Sequence, residues 1–443
     1  MAAVIADFEQ SCKDASSNQE RVLGRILDDN SSCHYLQRYG SPQTLAAFKA
    51  QVPIISYEDV GSEIDKIASG VQGPLLCSYP ILHFFARYES HLSCFNLCFH
   101  CNISSGTTSA NGKIIPLTAE NAAASGRATE IANAYRTRCF PSDNGIILGF
   151  FYCMDQVETK SGLLVSAAST YALKGERFKA TSSKYTTPYE VLVAGSDWRE
   201  LTYCHWLCAL LQRGKVEQII SIFSYTICEA IRMLRAEWRE ICSDIRAGSL
   251  CEGKVTSPNL RQAVLASPVF DGIKGGDPVE AEVISEICSR DSWSGIVLLL
   301  FPRTNVMSTV VTGSMKLYVP SLRDYVGDQV PIVGLDYFSS EGAIGINADP
   351  RCHPERVVYT MVPTALYYEF LPVDSTSCDN ILGLHEVQVG EQYEVVITNF
   401  AGLYRYRIGD VVKVDSFFHE VPRLAFSDRR KAVLSVHNEM VSR

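Results

Sequence analysis

The chain has 443 residues, 47% of them hydrophobic and 20% charged, with a formal net charge of −9. That apolar share supports a large core and more than one folding unit, while the acidic balance argues against gripping nucleic acid or anionic membrane, which takes clustered Lys and Arg. The first residues carry Asp7 and Glu9 instead of a basic run and an apolar core, and no apolar stretch reaches membrane-spanning length. The expectation is a cytoplasmic protein whose sixteen scattered cysteines are reduced thiols packed in the core.

In chain order, residues 1–75 read as helical at first, since Ile5, Phe8, Cys12, Val22, Ile26 and Leu27 recur near helical spacing. Residues 104–118 are rich in Ser, Thr and Gly and lead into an Ala-rich segment, 119–135, predicted as a helix. The clearest helix lies within 216–250. There Ile227, Ile231, Leu234, Trp238, Ile241 and Ile245 step by three or four residues along one face, and Gly248 is a plausible stop. Such a stripe packs the core or walls a pocket, the first being the commoner use. A weak break falls at 267–278. Residues 295–302 read as a buried strand, and 306–311, 332–335, 356–361, 367–371, 393–398 and 411–414 as further strands between turns. This pattern predicts an α/β protein with mixed sheets.

Three segments carry chemistry. In Ser104-Ser105-Gly106-Thr107-Thr108-Ser109-Ala110-Asn111-Gly112-Lys113, small hydroxylated residues and Gly let backbone N–H groups turn toward an anion. A following helix N-terminus and Lys113 add positive charge. The spacing is not that of a Walker loop, and a plain polar loop is the alternative. Tyr337-Phe338-Ser339-Ser340-Glu341 follows an apolar run directly. At such a strand exit a Tyr can stack on a base, hydroxyls can donate to phosphate, and a Glu can hold Mg²⁺. A strand end with a capping Glu is the alternative. In Gly402-Leu403-Tyr404-Arg405-Tyr406-Arg407-Ile408-Gly409-Asp410, the Gly-Asp turn can present a carboxylate to vicinal hydroxyls. Alternation along a strand would put Arg405 and Arg407 on one face, toward phosphate or carboxylate, unless this is a surface hairpin with a salt bridge.

In this order the three motifs resemble the layout of adenylate-forming enzymes. With Tyr203-Cys204-His205, Trp238-Arg239-Glu240-Ile241-Cys242, Thr312-Gly313-Ser314-Met315 and Tyr367-Tyr368-Glu369-Phe370-Leu371-Pro372, the chain resembles the plant acyl-acid amido synthetases, often called the Gretchen Hagen three family. The resemblance implies an adenylate-forming, luciferase-like large N-terminal domain over 1–430, with mixed β-sheets flanked by helices and a small β-rich subdomain. It implies ATP and Mg²⁺, a small carboxylic acid hormone and an amino acid. The acid's carboxylate would displace pyrophosphate to give an acyl-adenylate, and the amino acid's amine would then release AMP. On the family's pattern Ser104, Ser105, Gly106, Thr107 and Thr108 cradle phosphate, and Tyr337, with Phe338, Ser339 and Ser340 beside it, packs on adenine near Thr312, Gly313 and Ser314. Glu341 serves as the catalytic and Mg²⁺-binding carboxylate, and Asp410 holds the ribose hydroxyls. Ser125 and Tyr337 face the acyl substrate. Ala124 and Ser125 stand where auxin-conjugating members carry paired Arg, with Arg127 off register, which leans toward a jasmonate-type acid over indole-3-acetate.

Four departures temper the resemblance. Ala110 replaces a Gly of the phosphate loop, and Phe338 replaces a small residue and could crowd the nucleotide. Residues 83–102, with His91, Cys94, Cys98, His100 and Cys101, read as an insertion more readily than as a zinc site. The match breaks at His437, so 431–443 reads as a hinge remnant without the mobile C-terminal domain that closes over the nucleotide. The missing domain predicts weak adenylation and little or no amide formation, and together with Phe338 it keeps open an alternative, against which Glu341 and Asp410 speak: a non-catalytic acid- or nucleotide-binding module derived from such an enzyme.

Overall fold

The computed structural model describes residues 1–87, 113–272, 274–374, 380–429, 433–436 and 439–442. The N-terminal helices Ala2–Lys13 and Ala15–Asp29 bury the expected apolar positions Ile5, Phe8, Cys12, Ile26 and Leu27. Phe8 meets Tyr135 edge-on, with ring centroids 6.1 Å apart, which seats the first helix against Ala119–Cys139.

Among the described residues the strands form three sheets and a short hairpin. A mixed sheet holds β1 (His83–Arg87), β2 (Lys113–Leu117), β4 (Val157–Glu158) and β5 (Leu164–Ser166) in the order β2-β1-β5-β4. His83–Arg87, counted above with the insertion, pairs with β2 residue for residue. A parallel sheet holds β3 (Ile146–Gly149), β6 (Val216–Phe223), β7 (Val306–Val310) and β8 (Ile332–Gly334) in chain order. Parallel strands need helical crossovers that cover the sheet faces. One crossover contains Trp198–Leu210, whose residues from Leu201 onward are all buried, and another contains Ser224–Ala247. The latter is the strongly periodic helix of the sequence, and it ends where Gly248 takes a left-handed φ of 62°.

The third sheet is antiparallel and C-terminal. It comprises β9 (Tyr337–Ser339), β10 (Gly342–Ile346), β11 (Tyr359–Met361), β12 (Tyr367–Pro372), β13 (Leu382–Gly383), β14 (Gln392–Thr398), β15 (Tyr406–Phe418) and β16 (Val421–Arg429). Its order is β13-β12-β14-β15-β16-β11-β10-β9. The chain is thus α/β with mixed sheets, as the pattern of elements implied, flanked by helices and with a β-rich C-terminal part, as the family resemblance implied.

One predicted strand is a helix. Residues Ile296–Leu300 form a helical turn capped by Gly295 at a left-handed φ of 68°. It packs between the helices Pro278–Cys288 and Val319–Val326. Even its outer position, Leu299 at 36% exposed, is apolar, so no polar residue marks the period of a helix. Every cysteine among the described residues is a free thiol, most of them buried, and burial pushes the Cys208 thiol up to about 12. No described group of His, Cys, Asp and Glu is arranged to hold a metal ion. His91, Cys94, Cys98, His100 and Cys101 lie outside the described residues. No described helix is long and apolar enough to cross a membrane.

Candidate functional site

The parallel sheet ends at β8, and two residues later the chain enters β9, the edge strand of the antiparallel sheet. The junction is pinned by Asp336, whose carboxylate accepts from Arg136 of the Ala119–Cys139 helix at 2.6 Å and from the Asn347 amide at 3.0 Å. Tyr337 follows at once. Its hydroxyl donates to the Asp410 carboxylate at 2.8 Å across 73 residues of sequence, which joins the second motif to the third.

Asp410 owes its direction to a bulge. Opposite β14 the register of β15 slips between Glu394 and Val396, and Gly409 takes a φ of 81° that a side chain would resist. The Tyr337 ring lies 5.6 Å from Tyr359 and 5.9 Å, edge-on, from Phe426 of β16. Tyr359 in turn shares a 2.9 Å hydrogen bond with the Thr312 hydroxyl. Beside Thr312, Gly313 has a φ of 59°, and a Cβ there would lie 3.4 Å from the Phe426 ring. Gly313 and Ser314 are exposed at the start of the 3₁₀ turn Gly313–Tyr318. Thr312, Gly313, Tyr337 and Asp410 therefore meet around one aromatic cluster, to which Tyr359 and Phe426 contribute without any local sequence signal.

Glu341 sits in the two-residue turn between β9 and β10 and is fully buried. Its backbone carbonyl accepts from the Asn121 side chain at 3.2 Å and from the Asn399 side chain at 2.9 Å. Ser339 is half-buried and donates to the Gly342 carbonyl at 3.3 Å, and Ser340 is half-buried beside it. Strand alternation puts the Phe338 ring on the face opposite Tyr337, 40% exposed. It therefore does not crowd the Tyr337–Asp410 side, contrary to the expectation from its size. Ser125 is half-buried four residues beyond Asn121, on the same helix face. Ala124 is buried and Arg127 is exposed. Ser104, Ser105, Gly106, Thr107 and Thr108 lie outside the described residues.

Arg405 and Arg407 do not share a face toward an anion. Arg405 precedes β15 at a φ of 49°. Its guanidinium forms a buried fork with Glu369 of β12, at 3.0 and 3.1 Å, and donates to the Lys49 and Val52 carbonyls, both at 2.8 Å. Arg407 forks onto Glu394 of β14 at 2.9 and 2.6 Å. Both arginines thus meet carboxylates of the same sheet, Arg407 on the adjacent strand β14 and Arg405 one strand further on β12. Lys113, offered above as a phosphate partner, pairs with Glu58 at 3.2 Å over the Tyr57 ring. Tyr203 and His205 are core struts. The Tyr203 hydroxyl donates to Asp244 at 2.7 Å. His205 bridges Thr187 at 2.7 Å and the Phe151 carbonyl at 2.8 Å, and burial pulls its imidazole down to about 4. Depressions of about 530 Å³ beside Glu190, Asn259 and Gln262, and about 480 Å³ beside Gln388, Tyr393 and Lys413, share no lining residue with the aromatic cluster.

Residues 4–86 and 94–332 match the GH3 family N-terminal domain, and residues 359–429 match the GH3 family central domain. The chain belongs to the GH3 family. Among its GH3 relatives are the jasmonoyl–L-amino acid synthetase JAR4 of Nicotiana attenuata, 36% identical over 98% of this chain and 72% of the relative, and the indole-3-acetic acid-amido synthetase GH3.10 of Arabidopsis thaliana, 36% identical over 98% and 74%. The solved GH3.15 acyl acid amido synthetase superposes with a TM-score of 0.85 at 30% identity, covering all of this chain and 74% of that one. A second structure of that enzyme, in complex with 2,4-DB, superposes at 0.83 and 29% identity.

Proposed function

We propose that this GH3 chain joins an amino acid to a hormone-type carboxylic acid, jasmonate or indole-3-acetate, using ATP to activate the acid as an acyl-adenylate. The observation that carries the reading is the 2.8 Å bond between Tyr337 and Asp410. It gathers an aromatic wall, a ribose-competent carboxylate and the Thr312 turn in one place, in a family whose relatives above are amino acid synthetases.

The residues present fit ATP. A carboxylate has about four lone-pair sites, so Asp410 can hold the Tyr337 hydroxyl and still receive two ribose hydroxyls. Gly313 keeps a Cβ away from the Phe426 ring, which leaves backbone close to the aromatic wall where adenine would lie. Glu341 offers hard carboxylate oxygens from a fixed turn and would hold Mg²⁺, which supplies positive charge beside the phosphates when bound. Ser104, Ser105, Gly106, Thr107 and Thr108 would cradle those phosphates with backbone and hydroxyl donors. Ser125, on the stripe of Asn121, would border the acid, and with Arg127 exposed the jasmonate-type acid is the first choice. Activation brings two anions together, so the chain's contribution is positioning and charge stabilisation.

The test is acid-dependent exchange of labelled pyrophosphate into ATP by the purified chain, with jasmonate and with indole-3-acetate, beside mass-spectrometric detection of the amino acid conjugate. Acid-dependent exchange supports the reading. No exchange with either acid, under conditions where calorimetry shows ATP bound, refutes it.

A further inference from the structure

The carbonyl of Glu341 takes both of its hydrogen bonds from side-chain amides that reach it from different parts of the chain. Asn121 stands in the first turn of the Ala119–Cys139 helix, and its own amide is capped by Thr118 at 3.2 Å. Asn399 closes β14. Its side-chain oxygen accepts from the Ala401 and Leu403 amides at 2.9 and 3.1 Å, so the donor toward Glu341 is set by a folded loop. Thr118 also donates to the Phe400 carbonyl at 3.3 Å. The bonds therefore close a ring: helix cap to loop, loop to Asn399, Asn399 to Glu341, Glu341 to Asn121, and back to the cap. Asn121 and Asn399 are both buried to within 1% of complete, so neither bond competes with water. Two amides on one carbonyl use both of its lone pairs. That fixes the peptide plane after Glu341 and with it the direction in which the side chain leaves a two-residue turn.

We infer that Asn121 and Asn399 are positioning residues for Glu341, holding its carboxylate at the place where Mg²⁺ meets the nucleotide. The inference rests on the reading of Glu341 given above. Asn121 additionally ties the Glu341 turn to the Ala119–Cys139 helix, which follows β2.

The experiment uses the full 443-residue chain and three variants, Asn121→Ala, Asn399→Ala and Glu341→Gln. Calorimetry gives the ATP affinity with Mg²⁺ and with EDTA, and a melting temperature is recorded for each protein. The expected result is that each asparagine variant weakens ATP binding about tenfold in Mg²⁺, the order of one buried hydrogen bond, and by less than about twofold in EDTA. Glu341→Gln should show the same selective loss. If Glu341→Gln loses the Mg²⁺-dependent part while Asn121→Ala keeps it, or weakens ATP equally with and without metal, the inference about the asparagines is overturned and the reading of Glu341 stands. If Glu341→Gln changes nothing, the underlying reading fails instead. Asn399 also folds its own loop, so Asn121 carries the decision. Should Asn121→Ala not fold, Asn121→Asp keeps the shape, removes the donating amide and takes its place.

Discussion

Replacing Arg405 with Ala separates a structural arginine from a substrate-binding one. The change deletes a two-pronged contact to Glu369 and two further bonds to the Lys49 and Val52 carbonyls. The Arg405 and Glu369 side chains are only 5% and 1% exposed, so removing one strands the other in the interior. Breaking a buried pair in this way costs about 3–5 kcal/mol. Burial already pushes the Glu369 carboxyl up, with Arg405 opposing it. Without Arg405 the acid can take up a proton, which puts the loss at the lower end, about 3 kcal/mol. Unfolding entropy runs at about 2.1 cal/mol/K per residue. Over 443 residues such a loss lowers the melting temperature by roughly 3 °C if the chain unfolds as one unit. Scanning calorimetry measures the fall, and ATP affinity is measured below the transition. The double variant Arg405→Met with Glu369→Leu, which leaves no buried charge, should recover most of the loss. An Arg405→Ala protein that melts with the parent chain yet loses its ATP affinity would refute this reasoning and return Arg405 to the substrate.

Tyr337→Phe removes the hydroxyl that Asp410 accepts at 2.8 Å; a bond to a charged group contributes about 1.5–3 kcal/mol to the folded chain, so the melting temperature should fall by roughly 2–3 °C, and ATP affinity should fall with it as Asp410 loses its aim, both read by calorimetry. His205 is held neutral with its imidazole pulled down to about 4 against an ordinary value of 6.5. Its contribution is therefore complete above pH 6.5 and is lost as pH falls toward 4, up to about 3 kcal/mol, and a His205→Gln variant should show a flatter melting profile over that window. At Gly402, with φ 86°, an added Cβ would lie 2.7 Å from the Leu76 Cβ and 2.8 Å from its backbone. Gly402→Ala should therefore destabilise the chain by at least about 1–3 kcal/mol, read as a lower urea midpoint. Removing Mg²⁺ with EDTA should abolish acid-dependent pyrophosphate exchange, and exchange that persists would count against Glu341 as a metal ligand.

What the sequence discloses here depends on how far apart the causes lie. Ser224–Ala247 was legible because its buried positions recur every three or four residues and Gly248 ends it with a left-handed turn; both causes are local. Ile296–Leu300 reads as a strand because its five residues are all apolar and so carry no period, although only Ile296, Val297 and Leu300 are buried, and only the helices on either side decide between the two shapes. Arg405 and Arg407 failed for a related reason. Two residues apart on a strand share a face, but Arg405 stands before the strand begins, at a φ of 49°. The carboxylates that claim the two arginines lie 36 and 13 residues away, on strands whose neighbours no local pattern names. Tyr337 and Asp410 were singled out by type and motif, yet their meeting depends on sheet order, β15-β16-β11-β10-β9, together with a bulge at Gly409. Asn399 did leave a trace. An Asn at a strand exit with a Gly three residues on is the signature of a side chain folding its own loop, and that loop is what aims its amide at Glu341. Asn121 left less, three residues after a Thr cap, a place where polar side chains commonly serve the helix itself. That both amides converge on a single carbonyl follows from the packing of the Ala119–Cys139 helix on β10. A long-range contact of that kind turns a motif glutamate into one with a fixed direction.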